Sequence, residues 1–250
     1  MITRIKKIVV ALAAVVGFTM AQAATVSIQF DNPLFSGFAA GTGDTSDVLH
    51  ITYASKSNGQ PVTAHVAAGR FRGKGSNVSG VDESIFVDSL DVLYMYCYDL
   101  YQDINHGNFV NYTIDQSAVT ARTLDFLGAV NYVLNGNSNT WTDKFSWLHP
   151  SRGAIGAAIQ LGIWESKYDT GWDLTAGSFK VTANDLMAET QQYWNYFKSA
   201  IDSASSLDAQ FAMVLKSDSK QDMLAGDPPS HVPEPGSLAL IGLALAGVAA

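Results

Sequence analysis

The chain is almost without cysteine: Cys97 is the only one among 250 residues. Exported proteins usually carry cysteines in pairs, because a free thiol outside the cytoplasm tends to be oxidised to a disulfide. A single cysteine excludes a disulfide framework within the chain. A disulfide within the chain therefore does not explain the presence of Cys97, which lies among the tyrosines of the stretch "LYMYCYDLY".

Signals of catalysis and of metal or cofactor binding are equally sparse. The five histidines are scattered, with no pair at the spacing of metal ligands, and there is no G-x-S-x-G motif. We therefore expect no metal, no cofactor and no catalytic residues in the enzymatic sense.

Basic residues are also few. Of the 15 Lys and Arg residues, three lie in the N-terminal leader discussed next, which leaves 12 against 23 Asp and Glu. Such an acidic chain argues against nucleic-acid partners, which need a basic surface.

The N-terminus has the three parts of a secretory signal peptide. Residues 4–7 are basic, residues 8–18 are apolar, and a small-residue cleavage site ends at Ala23. An uncleaved membrane anchor is the alternative, but the apolar run is short for a membrane span. We expect residues 1–23 to be removed, so that Ala24 becomes the new N-terminus.

The C-terminus has a different kind of signal. A linker rich in Pro, Gly and Ser begins at residue 226 and leads to Pro233, Glu234 and Pro235, after which residues 237–250 carry no charge. This arrangement resembles the PEP-CTERM sorting signal of Gram-negative bacteria. The resemblance implies that an exosortase is a partner and that residues 226–250 anchor the chain transiently in the membrane. It also implies release to the cell envelope, the cell surface or the exopolysaccharide matrix.

Residues 24–225 read as one α+β domain. Runs of β-branched and aromatic residues separated by Gly, Asn, Ser and Asp predict strands, and three amphipathic or small-residue stretches predict helices. The fold class we expect is a β-rich, sandwich-like or barrel-like domain with a helical insertion, flanked by the signal peptide and the C-terminal sorting helix. The predicted strands are 24–30, 48–54, 61–73, 90–101 and 209–217, and the predicted helices are 115–134, 151–166 and 182–201.

Two residues of this domain have more than one interpretation. Cys97 lies on a strand that is apolar on both faces, where a cysteine is usually a small buried hydrophobe. Gln160 lies within the apolar helix "GAAIQLGIW", where an amide is costly unless it is hydrogen-bonded. Gly156 and Ala157 leave room for another backbone to approach Gln160. A core glutamine that binds a strand carbonyl is the simpler interpretation of this residue.

The two motifs together resemble the Cys-Gln thioester domain of bacterial surface proteins. In that family an aromatic-Cys pair is followed downstream by Gln-x-(Ala/Gly)-Ile-Trp, and here the order is "YCYD" and then "QLGIW". The resemblance implies that the sulfur of Cys97 joins the side-chain carbonyl of Gln160 with loss of ammonia. The residues that it assigns to support this bond are Tyr96, Asp99, Ile163 and Trp164.

The resemblance implies an exported protein that captures a nucleophile covalently and does not turn over as an enzyme. The partner would be an amine-bearing protein or a surface polysaccharide. One alternative is a non-covalent structural matrix protein with the same fold and no bond. Another is a cysteine hydrolase that pairs Cys97 with His106 or His149. Reactive cysteines prefer basic neighbours or helix N-termini, whereas Cys97 has Asp99 and tyrosines, which disfavours the hydrolase.

Overall fold

A computed structural model describes residues 23–38, 46–104, 106–107 and 109–227 of the chain. The predicted signal peptide up to residue 22 and the Pro233–Pro235 sorting motif with its tail lie outside the described residues. The strands are β1 (Thr25–Phe30), β2 (Asp47–Ala54), β3 (Pro61–Ala68), β4 (Phe71–Ser79), β5 (Leu93–Cys97), β6 (Phe109–Asp115), β7 (Lys180–Val181), β8 (Ala212–Lys216) and β9 (Met223–Gly226), and the helices are α1 (Ala121–Leu134), α2 (Gly153–Tyr168) and α3 (Ala188–Ala200).

Six strands form a closed barrel in the order β1-β4-β5-β9-β8-β6, and every neighbouring pair is antiparallel. Apolar residues alternate along β1 and β6, so that one face of each strand is buried. The rings of Phe30, Phe71 and Tyr112 meet edge to face in the core. Closing the barrel leaves none of these six strands with a free edge.

The remaining three strands form a separate small sheet in the order β3-β2-β7. β2 and β3 are paired along their whole length, from Asp47 opposite Ala68 to Ala54 opposite Pro61. β7 has only two residues and pairs with the middle of β2. This sheet packs against α2, with Leu49 and Ile51 buried.

The helices lie between β6 and β8 in the chain and pack on one another. α2 is the central helix: every residue from Gly153 to Ser166 is buried, which fits a helix that is apolar on all sides. α1 begins after Thr120, whose side chain caps the helix, and not at residue 115 as predicted. It ends at Leu134, the predicted end, and is followed by Asn135 and Gly136. Gly136 has a φ of 72°, the left-handed conformation that ends a helix.

The β-rich α+β class with a helical insertion is confirmed, and the barrel is the form that it takes. Several boundaries were wrong. The predicted strand 61–73 is two strands, because the chain turns at Gly69–Arg70 between β3 and β4. The predicted helix 182–201 begins only at Ala188, because residues 183–185 form a 3-10 turn and Met187 precedes the helix without a side-chain cap.

Candidate functional site

Cys97 is the last residue of β5, at a point where its neighbour β4 has left the sheet. The pairing of β4 with β5 ends at Phe71 opposite Met95, and beyond it β4 gives way to the turn at Arg70. The amide N–H of Tyr98 donates to the carbonyl of Asp222, on the β9 side. The N–H and C=O of Cys97 therefore point to the side that β4 has vacated.

The amide group of Gln160 fills this gap. The Cys97 N–H donates to Oε1 of Gln160 at 2.8 Å, and Nε2 of Gln160 donates to the carbonyl oxygen of Cys97 at 2.8 Å. The two residues are 63 positions apart in the chain, and both are buried. The side-chain amide continues the β4–β5 ladder for one pair, so its burial leaves no amide atom without a partner.

Two glycines of α2 lie near Gln160 and differ in their surroundings. A Cβ placed on Gly156 would lie 3.4 Å from the backbone nitrogen of Arg70, an ordinary contact, so the turn after β3 packs against the helix here without needing a glycine. A Cβ on Gly162 would overlap the ring of Phe126 on α1. The close approach at Gly156 is the one that the sequence predicts beside Gln160, although the sequence does not say which backbone makes it.

The thiol of Cys97 has a partner that sequence reasoning missed. Its Sγ lies 2.9 Å from Oε1 of Gln221 and donates to it, while Nε2 of Gln221 donates to the carbonyl oxygen of Asp99. Gln221 precedes β9 and is brought here because β9 pairs with β5, with Cys97 opposite Met223. The sequence around it, "SDSKQDM", has no apolar pattern that would mark a buried glutamine.

The surroundings keep the thiol protonated. Burial, and after it the nearby carboxylate of Asp99, raises the pKa of Cys97 well above its usual range. Burial and the charge of Asp222 also raise the pKa of Asp99. Lys167 lies 3.9 Å above the ring of Tyr98, and burial lowers the pKa of its ammonium group. A protonated thiol is a poor nucleophile towards an external substrate.

The residues that the resemblance assigns to support the thioester do not all lie on the same side of β5 as Cys97. Trp164 lines the same cleft as Cys97, and its indole N–H has no partner among the described residues. Ile163 is buried one position before it on α2. Tyr96 lies on the opposite face of β5 from Cys97, and its hydroxyl donates to the carbonyl of Trp147 at 3.0 Å.

A cleft of about 370 Å³ leads from the surface to the sulfur. It is lined by the stretch 64–67 of β3, by residues 34–35, and by residues 100 and 102–104 of the loop after β5. The buried residues Cys97, Trp164 and Gln221 also line it. The volume lies at the small end of the range for ligand pockets.

Neither histidine considered for a hydrolase lines this cleft. His149 pairs with Asp88 at 2.9 Å, and it packs edge-on against Tyr94, on the other face of β5 from Cys97. His106 is exposed. The histidine that does line the cleft is His65 on β3. The structure therefore brings together Cys97, Gln160, Gln221 and Trp164, and leaves His106 and His149 outside this group.

Within the described residues, no helix has the length and apolar character needed to cross a membrane. The same residues contain no cluster of three or more His, Cys, Asp or Glu side chains that could hold a metal ion.

Comparison with known proteins gives one match. The family of the PEP-CTERM protein-sorting motif matches residues 231–250. No curated protein and no solved structure matches the chain significantly. The matched segment covers the tail alone and does not include the barrel or the helices. The chain thus carries an exosortase sorting motif, as an exported protein of a Gram-negative cell envelope does.

Proposed function

We propose that the exported domain forms an internal thioester between Cys97 and Gln160 and uses it to attach covalently to a nucleophile at the cell surface. The observation that carries the proposal is the contact between the amide of Gln160 and the backbone of the only cysteine, at 2.8 Å on both amide atoms. Rotation of the Cys97 side chain about χ1 changes the distance from Sγ to the amide carbon without moving either backbone.

The chemistry needs no cofactor. When Sγ attacks the amide carbon of Gln160, a C–S bond forms and the C–N bond breaks. The thiol proton leaves with the amide nitrogen as ammonia. In the second step an amine attacks the same carbon: a C–N bond forms, the C–S bond breaks and the sulfur recovers a proton as a free thiol. The sulfur leaving group makes the carbonyl a stored acyl donor.

The site suits a reaction that happens once. Burial of Cys97 restricts access of water to the sulfur, and a protonated Cys97 is not poised to attack successive substrates. The domain then acts as a covalent attachment module and not as a turnover enzyme. The exosortase motif would deliver it to the cell surface or the exopolysaccharide matrix, where an amine-bearing protein or a polysaccharide is the partner.

One observation favours the alternative of a structural matrix protein with no bond. Both amide atoms of Gln160 are hydrogen-bonded to Cys97, and the thiol donates to Gln221 instead of facing the Gln160 carbon. A buried glutamine in this state is already satisfied. The same contact makes Gln221 a second acyl donor to be tested.

The experiment is the intact mass of the chain purified after export, together with thiol labelling after unfolding. A thioester makes the chain one ammonia lighter than its sequence and leaves no thiol to label. The structural alternative gives the full mass and one labelled thiol.

Two matched variants identify the acyl donor. Gln160→Glu keeps the size of the side chain but removes the amide, so this variant should show no loss of ammonia and should label fully. Gln221→Glu makes the same change beside the thiol and should keep the loss. The opposite pattern would assign the bond to Gln221.

A further inference from the structure

The small sheet has one long strand whose outer side is unpaired among the described residues. β3 (Pro61–Ala68) pairs with β2 on one side, and no described strand pairs with it on the other. Its sequence, "PVTAHVAA", contains no Lys, Arg, Asp or Glu. Natural proteins usually protect such an edge with charges, bulges or a covering segment, because exposed strand edges recruit other strands.

The register shows which backbone groups face outward. The N–H of Ser55 donates to the carbonyl of Gln60, which makes this the first hydrogen-bonded pair of the β2–β3 hairpin. Hydrogen-bonded pairs alternate along an antiparallel ladder, so Val62, Ala64 and Val66 bond to β2. The N–H and C=O groups of the residues between them, Thr63, His65 and Ala67, point away from the sheet.

Two of these residues, His65 and Ala67, line the cleft that leads to Cys97. Residues 64–67 form one wall of the cleft, and apolar side chains that include Phe35, Phe71 and Trp164 line it elsewhere. A cleft of about 370 Å³ holds a few residues of extended chain and excludes a second folded domain. A strand that entered it would bond to β3 and place every second side chain towards the aromatic residues and the sulfur.

We infer that β3 is a docking edge for an extended peptide segment, which adds to the small sheet as a fourth strand. Main-chain hydrogen bonds to Thr63, His65 and Ala67 supply the affinity, and the apolar lining selects alternating apolar side chains. Among the described residues that line the cleft, Asp103 is the one with a charged side chain. After removal of residues 1–23 the chain has 12 Lys and Arg residues against 23 Asp and Glu, so neutral or basic segments bind better than acidic ones. This inference does not depend on the thioester.

The test uses the full chain and a fluorescent, acetylated peptide, Lys-Val-Thr-Val-Thr-Val-Lys. We expect saturable binding by fluorescence anisotropy, and weaker binding when both lysines are replaced by glutamates. Two N-methylated versions then locate the hydrogen bonds. In one, alternate amides are methylated, and in the other the remaining amides are methylated. Only one set of amides faces β3, so one version should lose at least about tenfold in affinity and the other should not.

Two variants test the protein side. Ala67→Pro removes an outward N–H that the fold does not use, and proline is tolerated on edge strands, so it should weaken binding at least about tenfold at an unchanged melting temperature. Val48→Thr alters an exposed apolar residue on β2 and should leave binding unchanged. The absence of saturable binding, or equal loss from both methylated peptides, would overturn the inference. Binding that Cys97→Ala leaves intact would support it even if the mass measurement shows no thioester.

Discussion

Gly162 of α2 allows a sharp test of how the helix that carries Gln160 is held. A Cβ added at Gly162 would overlap three ring carbons of Phe126. That ring cannot move aside, because it is fully buried and stacks on Trp172 at 5.9 Å and meets Phe197 edge-on at 6.1 Å. Overpacking of this kind costs about 1–3 kcal/mol, and the extent of the overlap places Gly162→Ala near the upper value.

Gly156 on the same helix is the matched control. A Cβ there would make ordinary contacts, 3.4 Å from the Arg70 nitrogen and 3.6 Å from the ring of Phe38. Replacing glycine by alanine inside a helix gains about 1 kcal/mol. Gly156→Ala should therefore be stabilised by about 1 kcal/mol. In Gly162→Ala the helix also gains about 1 kcal/mol, but the overlap with Phe126 costs about 3 kcal/mol. This variant should therefore be destabilised by about 2 kcal/mol.

Urea unfolding of the two variants measures the difference directly, provided that the slope of the free energy of unfolding against urea stays constant. The double variant Gly162→Ala/Phe126→Leu should recover part of the loss of Gly162→Ala, because the smaller side chain removes the overlap. If Gly162→Ala were as stable as Gly156→Ala, the packing of α2 against α1 would not be as described.

Two further predictions concern other buried polar groups. Burial raises the pKa of Glu165 from 4.5 to about 7, so the folded chain holds this proton more tightly than the unfolded chain. Stability should fall as the pH rises from about 4.5 to about 7, and Glu165→Gln should reduce that slope in urea unfolding at a series of pH values; an unchanged slope would contradict the assignment. Asn131 accepts from the N–H of Trp147 at 3.0 Å and donates to the carbonyl of Lys144 at 2.8 Å. Asn131→Ala leaves both groups without partners and should cost about 2–4 kcal/mol in the same assay, whereas a loss below about 1 kcal/mol would show that water replaces them.

Local patterns in the sequence were enough to predict several elements. The apolar run around Cys97 predicts a strand, and the uniform apolar character of "GAIGAAIQLGIW" predicts a central helix. Asn135 and Gly136 mark the end of α1, because a glycine there can adopt positive φ. The contact between Cys97 and Gln160 was predicted only through the resemblance to the Cys-Gln thioester domain, because a buried amide needs a hydrogen-bond partner but does not by itself indicate which strand supplies it.

Other parts of the structure depend on pairings that no local pattern shows. β9 has four residues and is a strand only because it completes the barrel between β5 and β8. Gln221 lies beside the thiol of Cys97 because β9 pairs with β5. Its neighbours in the sequence are polar, so they do not indicate that this glutamine is buried. The separate sheet of β3, β2 and β7 arises because the chain turns at Gly69–Arg70, inside a run that reads as one strand.

A tryptic digest shows which side chain is joined to Cys97. Cleavage after Lys and Arg puts the three residues of the site into three separate peptides: residues 75–122 with Cys97, residues 153–167 with Gln160, and a peptide that begins at Gln221. The digest is made at mildly acidic pH to preserve a thioester, and linked peptides are identified by tandem mass spectrometry.

We expect one linked species, peptide 75–122 joined to peptide 153–167, with the combined mass reduced by one ammonia. Hydroxylamine should separate the two by attacking the acyl carbon of Gln160. Recovery of Cys97 in an unlinked peptide with a free thiol, from freshly exported protein, would show that the Cys97–Gln160 thioester does not form.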